Sequence, residues 1–178
     1  MKPILSRFAL LSLAAYLVVV ASAPSGADPA SAKRDIQAVY KKIAAAMKRK
    51  DVDAIKATGT PDFKSIANGQ SMDADASIGM VRQFLASLKE VKSVQMTVVS
   101  VKLSGDAAAE VVMRSKVVAI TNPQHGKTHT LFSTATSRDH WVKTGTGWLM
   151  QSIEDMPGAV TLLDGKPMPA TPPAGPGK

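Results

Sequence analysis

The sequence predicts an α+β fold, with helices gathered in the N-terminal half and one antiparallel sheet built from the rest. Three observations carry this. Apolar residues recur at helical spacing up to about Lys89, and after Glu90 they alternate with a period of two. The alternating segments are joined by short turn sequences with no helix between them, which fits hairpins rather than alternating α/β units.

The elements follow in order. Asp28-Pro29 opens the first helix, aspartate as cap and proline in the first helical position. Its apolar stripe is Ile36, Val39, Tyr40, Ile43, Ala46 and Met47. Asp51 caps a short second helix through Ala57, stopped by "TGTP", and Asp62-Phe63 fall in a loop or a single helical turn. "ANGQSMDADAS" reads as a polar excursion between helices. A third helix runs from about Asp75 to Lys89 on a stripe of Ile78, Val81, Phe84, Leu85 and Leu88, which Met80 widens slightly.

Four strands come next: "VKSVQMTVVSVKL", "AAAEVVMRSKVVAI", "THTLFSTATSRDHWVK" and "WLMQSIED", separated by "SGD", "TNPQHGK" and "TGTG". In the second strand Ala107, Ala109, Val111, Met113, Val117 and Ala119 share one face. Glu110, Arg114 and Lys116 share the other with Val112, Val118 and Ile120, and alternation does not choose which face meets the helices. A four-residue turn at "TGTG" sets Lys143 opposite Trp148, Trp141 opposite Met150 and Asp139 opposite Ser152. Both tryptophans then share a face with Asp139 and Glu154, while Arg138 and His140 take the other.

Both ends read differently from the middle. Lys2 and Arg7, the apolar run Phe8–Val20 and the small residues of "ASAPSGA" form the pattern of a secretory signal peptide, too short to span a bilayer comfortably. Cleavage after Ala27 avoids a proline directly behind the cut. The expected organisation is a signal peptide over residues 1–27, a domain over 28–158 and a Pro/Gly-rich tail over 159–178, unpaired and extended from Gly165. The expected location is secreted or periplasmic, with no stable membrane span after cleavage. The chain has no cysteine, which excludes disulfides, thiolate metal sites and cysteine nucleophiles. Its net charge of +8 has basic runs at Lys41–Lys42 and Lys48–Lys50, without interleaved aromatics, so they read as a solvated helix face rather than a nucleic-acid surface. No phosphate-binding loop, dinucleotide fingerprint or zinc-protease motif is present, so no cofactor is implied. His129 and His140 fall on opposite strand faces, and no metal site is expected.

The leading helix "AVYKKIAAAMKRKDVDAIKA", then "PDF", a third helix and the terminal "RDHWVKTGTGW" hairpin with "LMQSIED" together resemble the NTF2-like superfamily. Within it they are similar to the small DUF4440/SnoaL-like proteins, over roughly Ala30 to Met156. The resemblance implies a cone in which a curved antiparallel sheet of four or more strands wraps the first helix and leaves a pocket. It also implies dimers formed through the sheet. Function does not follow from such a fold alone. The isomerase-like members imply Tyr40 as an oxyanion donor and Asp62 as the base, with no clear second acid. The binding reading takes Arg114, Lys116 and Arg138, with Trp141, Trp148 and Glu154, as ligand-binding residues for a small apolar or anionic molecule. Three alternatives stand open: a small-molecule binder, an isomerase, cyclase or dehydratase, and a domain that only dimerises or meets an envelope partner.

Overall fold

The computed structural model describes residues 28–168; the expected signal peptide and the end of the expected tail lie outside the described residues. Helix α1 (Pro29–Arg49) starts as its sequence dictates. The Asp28 carboxylate accepts from the amides of Ala30 and Ser31 at 3.0 and 3.1 Å, with Pro29 in the first turn. Lys50 ends it in the left-handed conformation, φ 57°, after Lys48 and Arg49 have placed positive charge on the last turn. Helix α2 (Val52–Lys56) is capped by Asp51 and helix α3 (Ala74–Ser87) by Asp73, each side chain accepting from an amide three residues on.

The sheet contains β1 (Gly59–Ala67), β2 (Gln70–Asp73), β3 (Leu88–Ser104), β4 (Ala108–Thr121), β5 (Thr130–Thr144), β6 (Gly147–Asp155), β7 (Val160–Leu163) and β8 (Lys166–Pro167). Its order is β2-β1-β6-β5-β4-β3, with β7 added against the first part of β5 and β8 against β7. All pairings are antiparallel except β1 with β6. Three register shifts in β3, between Leu88 and Glu90, Val91 and Ser93, and Val98 and Ser100, bend this long strand around α1. The same helix covers the free edge of β3. Gln37 donates to the Met96 carbonyl at 2.7 Å and accepts from the Val98 amide at 2.9 Å, and Lys50 donates to the Leu88 carbonyl.

The core lies between α1 and the inner face of β3–β6. Ala32, Ile36, Tyr40 and Ile43 pack against Val98, Ala109, Val111, Met113, Trp141, Trp148 and Met150. The face of β4 that meets the helices is therefore that of Ala109, Val111, Met113, Val117 and Ala119. A second cluster joins Leu85 and Leu88 to Val91, Ala119 and Leu131. The expected α+β cone is present, and so is the expected stripe of α1.

Three local expectations are corrected. Residues 59–73 are not a loop and an excursion but the β1–β2 hairpin, turned by Asn68 (φ 51°) and Gly69 (φ 74°). Lys166 and Pro167 are not unpaired: Val160–Leu163 pairs with Leu131–Thr134, and the turn at Asp164-Gly165 brings Lys166 and Pro167 back against Leu162 and Leu163. Last, the β5–β6 register slips between His140 and Trp141. His140 opposes Ser152 and Asp139 opposes Ile153, which leaves Gln151 as a bulge. A one-residue slip exchanges faces, so Ile153 turns inward beside Asp139, and Glu154 faces outward opposite Arg138 instead of joining the tryptophans.

Candidate functional site

Two features lie where the helices meet the sheet: a buried polar trio and an apolar cavity beside it. The trio begins with Tyr40, on the inner stripe of α1 and fully buried. Its hydroxyl donates to Oδ2 of Asp139, itself at 0% exposure in the middle of β5, and accepts from Trp141 Nε1 at 3.3 Å. The Tyr40 and Trp141 rings meet edge-on, centroids 5.1 Å apart. Burial pushes the Asp139 carboxyl up to about 6, partly offset by the Tyr40 hydrogen bond, which favours its ionised form. Burial and the neighbouring Asp139 carboxylate raise the Tyr40 phenol far above its ordinary value. Asp139 Oδ1, Ser137 Oγ and Trp148 Nε1 are buried without hydrogen-bond partners.

The cavity has a volume of about 710 Å³ and is bounded by all three helices, β1, β2 and the inner ends of β3 and β6. That size suits a small ligand. Five of the chain's nine methionines line it: Met47, Met72, Met80, Met96 and Met150. Phe63 and Phe84 add aromatic surface. Thioethers on flexible stems let such a wall adapt to more than one shape. Among the described residues, the only charged side chains on the lining are Lys56 and Asp75, an exposed pair 3.0 Å apart. Tyr40 and Asp139 do not line the cavity; Ile43, Met150 and Ile153, their neighbours in sequence or register, form the wall between.

The expected site residues separate into groups. Tyr40 and Trp141 come together, but with each other and Asp139 rather than with a ligand space of the cavity. Asp62 does not join Tyr40. It is fully exposed on β1, within 3.5 Å of Gln151 Nε2, and its carboxyl is held below the usual range by hydrogen bonding. Trp148 is buried in the core, with Lys143 6.0 Å above its ring. Arg114, Lys116 and Arg138 lie on the outer face of the sheet, away from the helices. Arg114 and Lys116 are exposed, Lys116 over the Phe132 ring at 5.4 Å, and Arg138 meets Glu154 at 3.5 Å. None of these three cations, nor Glu154, lines the cavity. The expected anion-binding trio is thus not assembled around it, because alternation places even-numbered residues of β4 outward.

A second, smaller groove of about 380 Å³ lies over the end of β3–β6 and is lined by Lys102, Glu110, His140, Trp141 and Gln151 among others. No group of three or more histidines and acids that could hold a metal occurs among the described residues. No helix among them is long and apolar enough to cross a membrane.

The residue that sequence reasoning passed over is Asp139. Its inward position was visible from alternation, yet its partner Tyr40 lies 99 residues away.

A family model described as a SnoaL-like domain matches residues 28–154. By sequence, no curated protein matches the chain. Among solved structures, the Kfla4162 protein from Kribbella flavida superposes with a TM-score of 0.61 at 11% identity, covering 74% of this chain and 95% of that one. An NTF2-like superfamily protein from Salmonella enterica gives 0.57 at 14%, over 85% of this chain and 100% of that one. A hexachlorocyclohexane dehydrochlorinase (LinA) of type 2 gives 0.60 at 9%, over 82% and 96%. Such identities show a shared fold and nothing further.

Proposed function

The chain belongs to the SnoaL-like domain family of the NTF2-like superfamily, and from that membership we propose that it is an exported domain binding a small, predominantly apolar molecule between its helices and sheet. One observation carries the reading: the 710 Å³ cavity is walled by methionine, isoleucine and phenylalanine, with its single ion pair at the solvent-exposed rim. Met80 and Phe84, 55% and 36% exposed, leave apolar surface on α3 in contact with water that a bound molecule would cover. The anionic alternative loses its support, since Arg114, Lys116 and Arg138 stand on the opposite face of the sheet.

The enzymatic alternative has less to stand on. Tyr40 and Asp62 do not share an enclosed space. Tyr40 and Asp139 do, but they are bonded to each other and the wall of Ile43, Met150 and Ile153 separates them from the cavity. A general acid or base must reach the proton it moves.

Naphthalene, followed by its own fluorescence, tests the binding reading. It should bind the full chain saturably and raise the melting temperature, a hundredfold excess over Kd adding about 2.7 kcal/mol. Ile78 lines the cavity from α3, so Ile78→Trp should weaken binding at least about tenfold by filling the space. Undiminished binding to a folded Ile78→Trp variant would place the probe elsewhere and end the reading.

A further inference from the structure

Helix α1 carries its charge on the side it does not bury. Ala32, Ile36, Tyr40, Ile43 and Ala46 make the inner stripe, so the helical period sets Arg34, Lys41 and Lys48 on the opposite side, in line at seven-residue intervals. All three are exposed, as is Lys42 beside them. Ala38 and Ala45, also exposed, fill the gaps along the line. At about 1.5 Å per residue, Arg34 to Lys48 spans about 21 Å.

These cations have no acid of their own. A helical side chain meets those three and four residues away, and for Arg34, Lys41 and Lys42 these are alanine, serine, valine or glutamine throughout. Lys48 has Asp51 three residues on, but that carboxylate pairs with Arg49 at 3.6 Å and caps α2. Asp35, the one acid within α1, lies round to the side of the line. None of the four cations forms an ion pair with another described residue. Their neighbours Lys33 and Lys50 differ, since each donates to a carbonyl of β3.

Recognising a base, a sugar or a peptide takes hydrogen-bonding or aromatic groups between the charges. Only alanine methyls stand between these, and Gln37, the nearby amide, is spent on Met96 and Val98. A line of cations on a low floor instead suits a flat anionic surface, which asks for charge and no shape. The apolar side of α1 is occupied by the core, so the helix cannot insert and attachment is electrostatic alone. We propose that the outer face of α1 docks on anionic lipid headgroups. This stands whatever the cavity holds.

Co-sedimentation of the full chain with phosphatidylglycerol or phosphatidylcholine vesicles tests it. The anionic vesicles should bind more tightly at about 10 mM salt, where screening reaches about 30 Å, and lose that margin at about 1 M, where it reaches about 3 Å. Each Lys or Arg near such a surface is worth about fivefold in affinity. Lys41→Gln with Lys48→Gln should therefore weaken binding to phosphatidylglycerol about 25-fold, with an unchanged melting temperature reporting an intact fold. The same loss of charge on the outer face of the sheet, Arg114→Gln with Lys116→Gln, should weaken it far less. Equal losses in the two double variants, no loss in either, or no preference for the anionic vesicles overturns the proposal. Soluble polyglutamate that competes as well as the vesicles at equal charge would assign the face to acidic polypeptides and overturn the lipid assignment.

Discussion

Asp139 is excluded from water, accepts from Tyr40 and has its second oxygen unpartnered, so its two protonation states differ in how well they tolerate the fold. Its pKa rises from 3.8 to about 6 on folding, chiefly through burial. An acid whose folded pKa is raised favours the folded state fully below its unfolded value, and this contribution is lost as pH climbs through the folded value. The window is therefore pH 4 to 6, and the loss is on the order of 3 kcal/mol. Urea unfolding midpoints should fall across that window in wild type, while Asp139→Asn, which cannot ionise, should show no such fall. Tyr40→Phe acts oppositely: it removes the bond that favours the carboxylate, pushing the Asp139 pKa higher and extending the loss above pH 6. Parallel profiles for wild type and Asp139→Asn would rule this out. Tyr40 as a buried member of the α1 stripe was legible in the sequence, as was the shared inner face of Trp141 and Asp139. Their meeting was not, since nothing local to residue 40 encodes a partner on β5.

Elements were legible where their own side chains enforce a period, and were missed where pairing does. The long strands β3–β6 alternate clearly because one face is buried against α1. By contrast β1 carries Pro61 and Asp62 and is held by parallel pairing to β6, a contact that leaves no local mark. Asn68-Gly69 was the signal for its hairpin, since that pair suits a tight turn with positive φ at both positions. The β7–β8 hairpin hid in a proline-rich sequence and is fastened by side chains, Thr161 meeting Ser133 at 3.2 Å and Asp164 gripping the start of β5. Asp164 accepts from the Thr130 amide at 2.8 Å and contacts His129 Nδ1 at 2.6 Å, while its own amide reaches the Thr130 carbonyl. The His129 contact is the main reason its carboxyl lies below the usual range, so this fastening is present above pH 4 and weakens as pH falls. Asp164→Ala should speed amide exchange in Val160–Leu163 without changing that of β4. Unchanged protection of β7 in the variant would show that strand pairing and the Ser133–Thr161 contact hold it without Asp164.

Across the whole molecule, packing is uneven, and the unevenness surrounds the cavity. The inner stripe of α1 is sealed, with Ile36 and Tyr40 at 0% and Ala46 at 1% exposure, because the sheet curls around it. Helix α3 buries only Ser77 and Leu85; its other apolar residues look into the cavity or out to solvent. That distinction was beyond the sequence, where the two helices carry similar apolar stripes and only the bend of β3 decides which one is enclosed. A helix with few buried contacts opens at lower free energy than one in the core. Amides of residues 78–85 should therefore exchange at least about tenfold faster than those of residues 36–46, at a pH where exchange reports local opening. A ligand that fills the cavity adds the contacts α3 lacks, so saturating naphthalene should slow exchange more in α3 than in α1, which is already sealed along most of its length. Equal protection of the two helices in the free protein would mean that the cavity does not loosen its roof. Protection gained in α1 with none in α3 would mean that the ligand sits away from the α3 side of the cavity.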